Sequence, residues 1–185
     1  MGLKRTVEPS DMPVTLVEAK AQCRVQFADE DQLIEDLIAA ATSMVEHYIG
    51  RSLTTQTWRL TLDKFTDRIV LPRGPVQSIS AFTYLDAAGV SQTVPGTTYA
   101  FDGDADPQMV VRQPSASWPS VGNLINPVSI TYVAGYSALE RDIKQAILML
   151  VANWFENRET LLTGTIVAQM PFGTMALLEN HRSFA

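Results

Sequence analysis

The chain has 185 residues, 46% of them hydrophobic and 18% charged, with 14 Lys and Arg against 20 Asp and Glu for a net charge of −6. That composition excludes a wholly disordered or collagen-like chain, and its sign argues against a protein that reads nucleic acid through phosphate contacts. The single cysteine, Cys23, excludes an intrachain disulfide framework and any multi-cysteine metal site, and suits synthesis in a reducing cytoplasm.

Residues 1–12 read as an N-terminal extension, basic at Lys4 and Arg5 but lacking the apolar run of a secretory signal. Thr15-Leu16-Val17-Glu18 has capping-box spacing and predicts a short helix to about Gln26. Asp29-Glu30-Asp31 puts negative charge where a second helix begins. Its stripe of Ile34, Leu37, Ile38, Ala41, Val45 and Tyr48 runs at helical spacing to a stop at Gly50.

From Gln56 the period shortens to two, with Trp58, Leu60 and Leu62 alternating with polar neighbours, and strand-like runs recur at 69–71, 76–84, 90–94, 98–101, 109–112 and 128–133. Asp86-Ala87-Ala88-Gly89 reads as a hairpin turn between two of them. Helical spacing returns over Glu140–Asn157, where Ile143, Ile147, Leu150, Val151 and Trp154 form a face expected in the core. The expected fold is α+β: a helical bundle of two N-terminal helices and a long buried C-terminal helix, with a small antiparallel β module inserted at about 56–134. An uncharged stretch, 160–178, follows, with a short helix expected at Thr174–His181. Gly164, Pro171 and Gly173 make that stretch a poor membrane span.

Motifs for chemistry are absent. There is no G-x-S-x-G elbow, P-loop or dinucleotide fingerprint, so no catalytic residue, cofactor or metal is assigned. Asp102-Gly103-Asp104-Ala105-Asp106 spaces carboxylates as a calcium loop does. Pro107 replaces the required glycine and Gln113 the closing glutamate, so a solvated turn is the better reading. His47 and His181 have no ligand-like neighbours in sequence, and Cys23 has no visible partner base.

Two features stand out instead. Between Leu71 and Leu139 only six residues carry charge: Arg73, Asp86, Asp102, Asp104, Asp106 and Arg112. An ordinary domain would place roughly seventeen there, so much of the β surface is expected to face other protein. The tail, 161–185, carries Ile166, Val167, Met170, Phe172, Met175, Leu177 and Leu178 after a helix that already supplies a core. An arm of that composition suits docking on a neighbour or folding back on its own domain.

The order of motifs resembles the phage head-tail connector, or adaptor, proteins, including those of gene transfer agents. The resemblance rests on 13–20, Asp29-Glu30-Asp31, 37–41, Tyr48-Ile49-Gly50-Arg51, Gln56-Thr57-Trp58, 71–76, Tyr132-Val133-Ala134-Gly135-Tyr136 and 143–148, and ends near Asn157-Arg158-Glu159. It implies a connector domain over 13–160 and a structural, non-enzymatic role. By this likeness the chain joins a dodecameric ring at the head-tail interface of a virion, between a portal protein and a tail-side stopper or tail terminator. DNA would pass through the ring without specific binding, and no membrane is involved. The resemblance also gives the 161–185 arm the task of docking on the portal. Asp29, Glu30, Asp31, Glu35 and Asp36 become candidates for the channel wall, where like charge would keep phosphates from sticking, although they could equally face outward. Alternatives are another neck or tail-completion ring, or a small α+β enzyme or ligand-binding protein whose site is not legible in one dimension.

Overall fold

The structure is a computed structural model and describes residues 1–157 and 171–183. It is α+β and divides into two compact units. One is built from Met1–Ser10 with Gly50–Ser137, the other from Asp11–Ile49 with the described part of Ala138–Arg182.

In the helical unit, α1 (Leu16–Cys23) begins with the expected capping box. Thr15 is the N-cap, the Glu18 amide donates to Thr15 Oγ1 at 3.3 Å, and the Thr15 amide donates to Glu18 Oε2 at 2.9 Å. The helix stops earlier than its pattern suggests because Arg24 turns left-handed at φ 58° and its amide closes the last turn. Helix α2 (Asp31–Ile49) buries Ile34, Ile38, Ala41, Val45 and Ile49, and Gly50 ends it at φ +71°. Helix α3 (Arg141–Glu156) packs against both, burying Ile143, Ala146, Ile147, Leu150 and Val151. Trp154, expected in the core, is only half-buried, because the buried stripe ends one turn before it.

The β unit holds two antiparallel sheets where the sequence suggested one module. Strands β1 (Gly2–Val7), β2 (Gln56–Leu62), β4 (Val76–Leu85), β5 (Ser91–Thr93) and β8 (Val128–Ala134) form the larger sheet, in the order β1-β2-β8-β4-β5. Strands β3 (Arg68–Val70), β6 (Tyr99–Asp102) and β7 (Met109–Arg112) form the smaller, in the order β3-β7-β6. Residues 2–7, read as part of an extension, are therefore a strand. Lys4 lies opposite Arg59 and Leu3 opposite Leu60 in its ladder with β2. The inserted segment does not complete its own sheet.

Inward residues of both sheets share one core, including Leu60, Ile69, Phe82, Val110, Ile130 and Tyr132. Phe65 stacks on Trp118 at 4.7 Å between ring centroids, and Phe82 meets Tyr99 edge-on at 5.0 Å. Tyr132, fully buried, donates its hydroxyl to the Pro72 carbonyl at 2.6 Å, and burial pushes its pKa well above the usual phenol range.

Candidate functional site

The five acidic candidates lie in the approach to α2 and its first turns. Asp29, Glu35 and Asp36 are exposed, while Glu30 and Asp31 are half-buried. Asp31 is held by Lys20, and Asp36 accepts from Gln32 at 3.2 Å. Helix periodicity thus presents Glu35 and Asp36 to solvent while turning Ile34 and Ile38 inward, which leaves an acidic outer surface without a converging site. Beside it, Met12, Val14, Leu16 and Ile38 floor an open groove of about 450 Å³ with Asp11 and Glu35 in its lining. A hydrolytic or transfer reaction needs converging nucleophile, base and charge-stabilising donors, and among the described residues the polar lining of this groove is Asp11, Thr15 and Glu35.

Of the arm residues, Ile166, Val167 and Met170 lie outside the described residues. The rest fall on α4 (Phe172–Leu178), which packs on α3 of the same chain. Leu178 is fully buried in that contact, Met175 and Leu177 are half-buried, and Phe172 is 86% exposed. Leu178 thus belongs to the helical core and is not available to a partner. Beyond α4, a 3-10 turn (Glu179–His181) is fastened to α2. The Tyr48 hydroxyl donates to Glu179 Oε2 at 2.8 Å, Arg182 donates to Glu179 Oε1 at 3.1 Å, and the Arg182 guanidinium lies 5.1 Å from the Tyr48 ring centroid. The carboxylate of Glu179 raises the Tyr48 pKa, and the bond from Tyr48 lowers that of Glu179.

His181 meets two carboxylates that sequence separation concealed, with Nε2 3.3 Å from Asp142 and Nδ1 3.8 Å from Glu140. This is the one group among the described residues with the composition of a metal site. Each ring nitrogen faces a different carboxylate, which is the geometry of a polar clasp, whereas a metal centre gathers one nitrogen and several oxygens around a point. In the Asp102–Asp106 loop, Asp106 pairs with Arg51 and Asp102 accepts from the Ala105 amide at 3.1 Å, so the carboxylates shape a turn. Cys23 is half-buried on α1, and burial raises its thiol pKa, the opposite of what activates a nucleophile.

What the β unit offers is surface. Around the tip of the β4–β5 hairpin, Ile125 is 88% exposed and Val90 and Leu124 are also open to solvent. Asp86, the one carboxylate of this turn, is occupied by the Gln92 side chain and by the amides of Val90 and Ala88, bonds that lower its pKa. These contacts are invisible to composition, although the shortage of charge between Leu71 and Leu139 pointed toward them.

Comparison with known proteins agrees with this emphasis on surfaces. A family model described as "Head completion protein" matches residues 14–184. A chain in the neck of an empty gene transfer agent particle, computed with C6 symmetry, is similar at a TM-score of 0.80 and 28% identity, covering 100% of this chain and 97% of that one. A chain of the virion of a native gene transfer agent particle is similar at 0.78 and 27%, and one from the native neck computed with C12 symmetry at 0.74 and 26%, with the same coverage. No curated protein gives a significant match.

Proposed function

Because the chain belongs to the head completion protein family, we propose that it is a structural subunit of the ring that joins the DNA-filled head to the tail in a virion neck and continues the DNA channel. The observation that carries this reading is the end-to-end similarity to gene transfer agent neck chains, at a TM-score of 0.80 and 28% identity over 100% of the chain. C6 and C12 symmetry in those necks supports a closed ring, and twelve copies is the number we assign. A ring of identical subunits uses a head-to-tail interface, which makes use of charge-poor surface that a solitary protein would leave wet. The chain carries out no catalysis in this role.

On the head side the ring meets the portal protein, and on the tail side a stopper or tail terminator. The arm is assigned to the portal through Ile166, Val167 and Met170 together with the exposed Phe172 and the half-buried Met175 and Leu177. The exposed acids Asp29, Glu35 and Asp36, with Glu30 and Asp31, are assigned to the channel wall, where net negative charge lets DNA slide without sticking. The decisive experiment is complementation of particles that lack this chain. Wild-type protein is expected in their necks and restores tail joining, and substituting Ile166, Val167, Met170 and Phe172 by Ser is expected to abolish capture on isolated portal while the protein stays folded. A wild-type chain absent from the necks of complemented particles would overturn the assignment.

A further inference from the structure

Among the described residues the two sheets end in four strand edges, β1 and β5 on the larger and β3 and β6 on the smaller. An open edge presents unpaired amides and carbonyls and templates the addition of another strand unless it is blunted. The edges differ in length and charge. Strand β5 is three residues long and uncharged, and β3 is three residues long with one cation, Arg68. Strand β1 has six residues and two cations, and β6 ends on Asp102 with Asp104 just beyond.

The two faces of β1 and β6 are also complementary. Lys4 sits directly opposite Arg59 in the β1–β2 ladder, and both side chains are exposed. Like charges across a ladder repel, so this pair is destabilising within one subunit and calls for a carboxylate beside it. On the other face of β1, Leu3 pairs with the buried Leu60 yet remains 37% exposed, because among the described residues no further strand covers this end of the core. Strand β6 has the matching pattern. Phe101, opposite the buried Val110, is 37% exposed on the core side, and Asp102 projects from the other face.

Resting on the ring reading above, we propose that the free edge of β1 in one copy pairs with the free edge of β6 in the next, extending a sheet across the subunit interface. A parallel register that sets Leu3 beside Phe101 also sets Lys4, with Arg59 behind it, beside Asp102. The apolar side chains cover each other on the core side and the charges neutralise on the other. Two different edges of one body meet, which is the requirement for a head-to-tail interface that propagates around a ring. Charge complementarity then selects β6 over the neutral β5 and the cationic β3 as the partner of β1.

The test is incorporation of full-length variants into the necks of complemented particles. Lys4→Glu and Asp102→Lys are each expected to reduce incorporation at least tenfold, and the double variant, in which the charges are exchanged, to recover most of it. Hydrogen exchange on the wild-type protein gives a readout independent of any variant's folding. Amides of 2–7 and of 99–102 should exchange at least tenfold more slowly in assembled rings than in free subunits. Wild-type rings in which neither strand gains protection, or single variants that enter necks as well as wild type, overturn the edge pairing and leave the ring intact. A wild-type chain that never enters necks overturns both.

Discussion

Glu18 carries two tasks at once. One carboxylate oxygen closes the capping box with Thr15 at the start of α1, and the other takes the ammonium of Lys144 on α3. The bond from Lys144 comes first and the backbone bond at Thr15 second in holding its pKa down to about 2, from an ordinary 4.5. Because the folded value lies below the unfolded one, the stabilisation is present in full above about pH 4.5 and is lost as pH falls toward 2. Lys144→Met should raise the Glu18 value only part of the way, since the cap remains, as a carboxyl titration followed by NMR would record. The cost in stability should stay below about 1 kcal/mol, because both side chains are partly exposed and water screens the pair. Gly135 presents a steeper case. It sits at φ +141°, and a Cβ there would lie 2.4 Å from the Thr54 carbonyl oxygen. Its amide donates to Pro75 at 2.8 Å and its carbonyl accepts from Gln77 at 2.8 Å, so the backbone has no freedom to move aside. Gly135→Ala is expected to cost at least about 1 to 3 kcal/mol in urea unfolding.

At the scale of elements, α4 is too short to persist alone and depends on its buried face. Leu178→Ala should destabilise the protein by about 2 to 5 kcal/mol, the usual penalty for emptying a core position, while Phe172→Ser should leave the melting midpoint unchanged. A reversed pattern would mean that α4 does not rest on α3. The sequence disclosed elements whose signals are local: the Thr15–Glu18 box, the stripe of α2 ending at Gly50, the alternation of β2 and the apolar face of α3. It did not disclose β1. Gly2–Val7 has no clean alternation, and it becomes a strand only because β2, more than fifty residues later, offers an edge. Nor did it disclose the partition into two sheets, which depends on pairings such as Ile69 with Val110. Trp154 was misjudged because periodicity gives the direction of a side chain and not how far the covering layer extends. The clasp of His181 on Glu140 and Asp142 was equally hidden, since its members are nearly forty residues apart. Leu178, placed in a docking arm by composition, is held by its own helical unit.

For the whole molecule, the deficit of charge was the most informative quantity in the sequence, because it concerned surface and the function lies in surface. The negative balance has its own consequence. A ring built from Asp29→Asn, Glu35→Gln, Asp36→Asn subunits should bind double-stranded DNA measurably in low salt, where the wild-type ring does not, as a mobility-shift assay would show. Equal binding by both rings would place these carboxylates away from the channel.

The chain threads its two units in alternation, with β1 first, then α1 and α2, then the remaining strands, then α3. A ribosome therefore releases the opening strand long before its ladder partner exists. The larger sheet waits for β8, ending at Ala134, and the helical layer waits for α3, ending at Glu156. Vectorial synthesis thus completes the β unit before the helical one, and a product terminated before Ala134 lacks both finished cores and is left exposed to proteolysis.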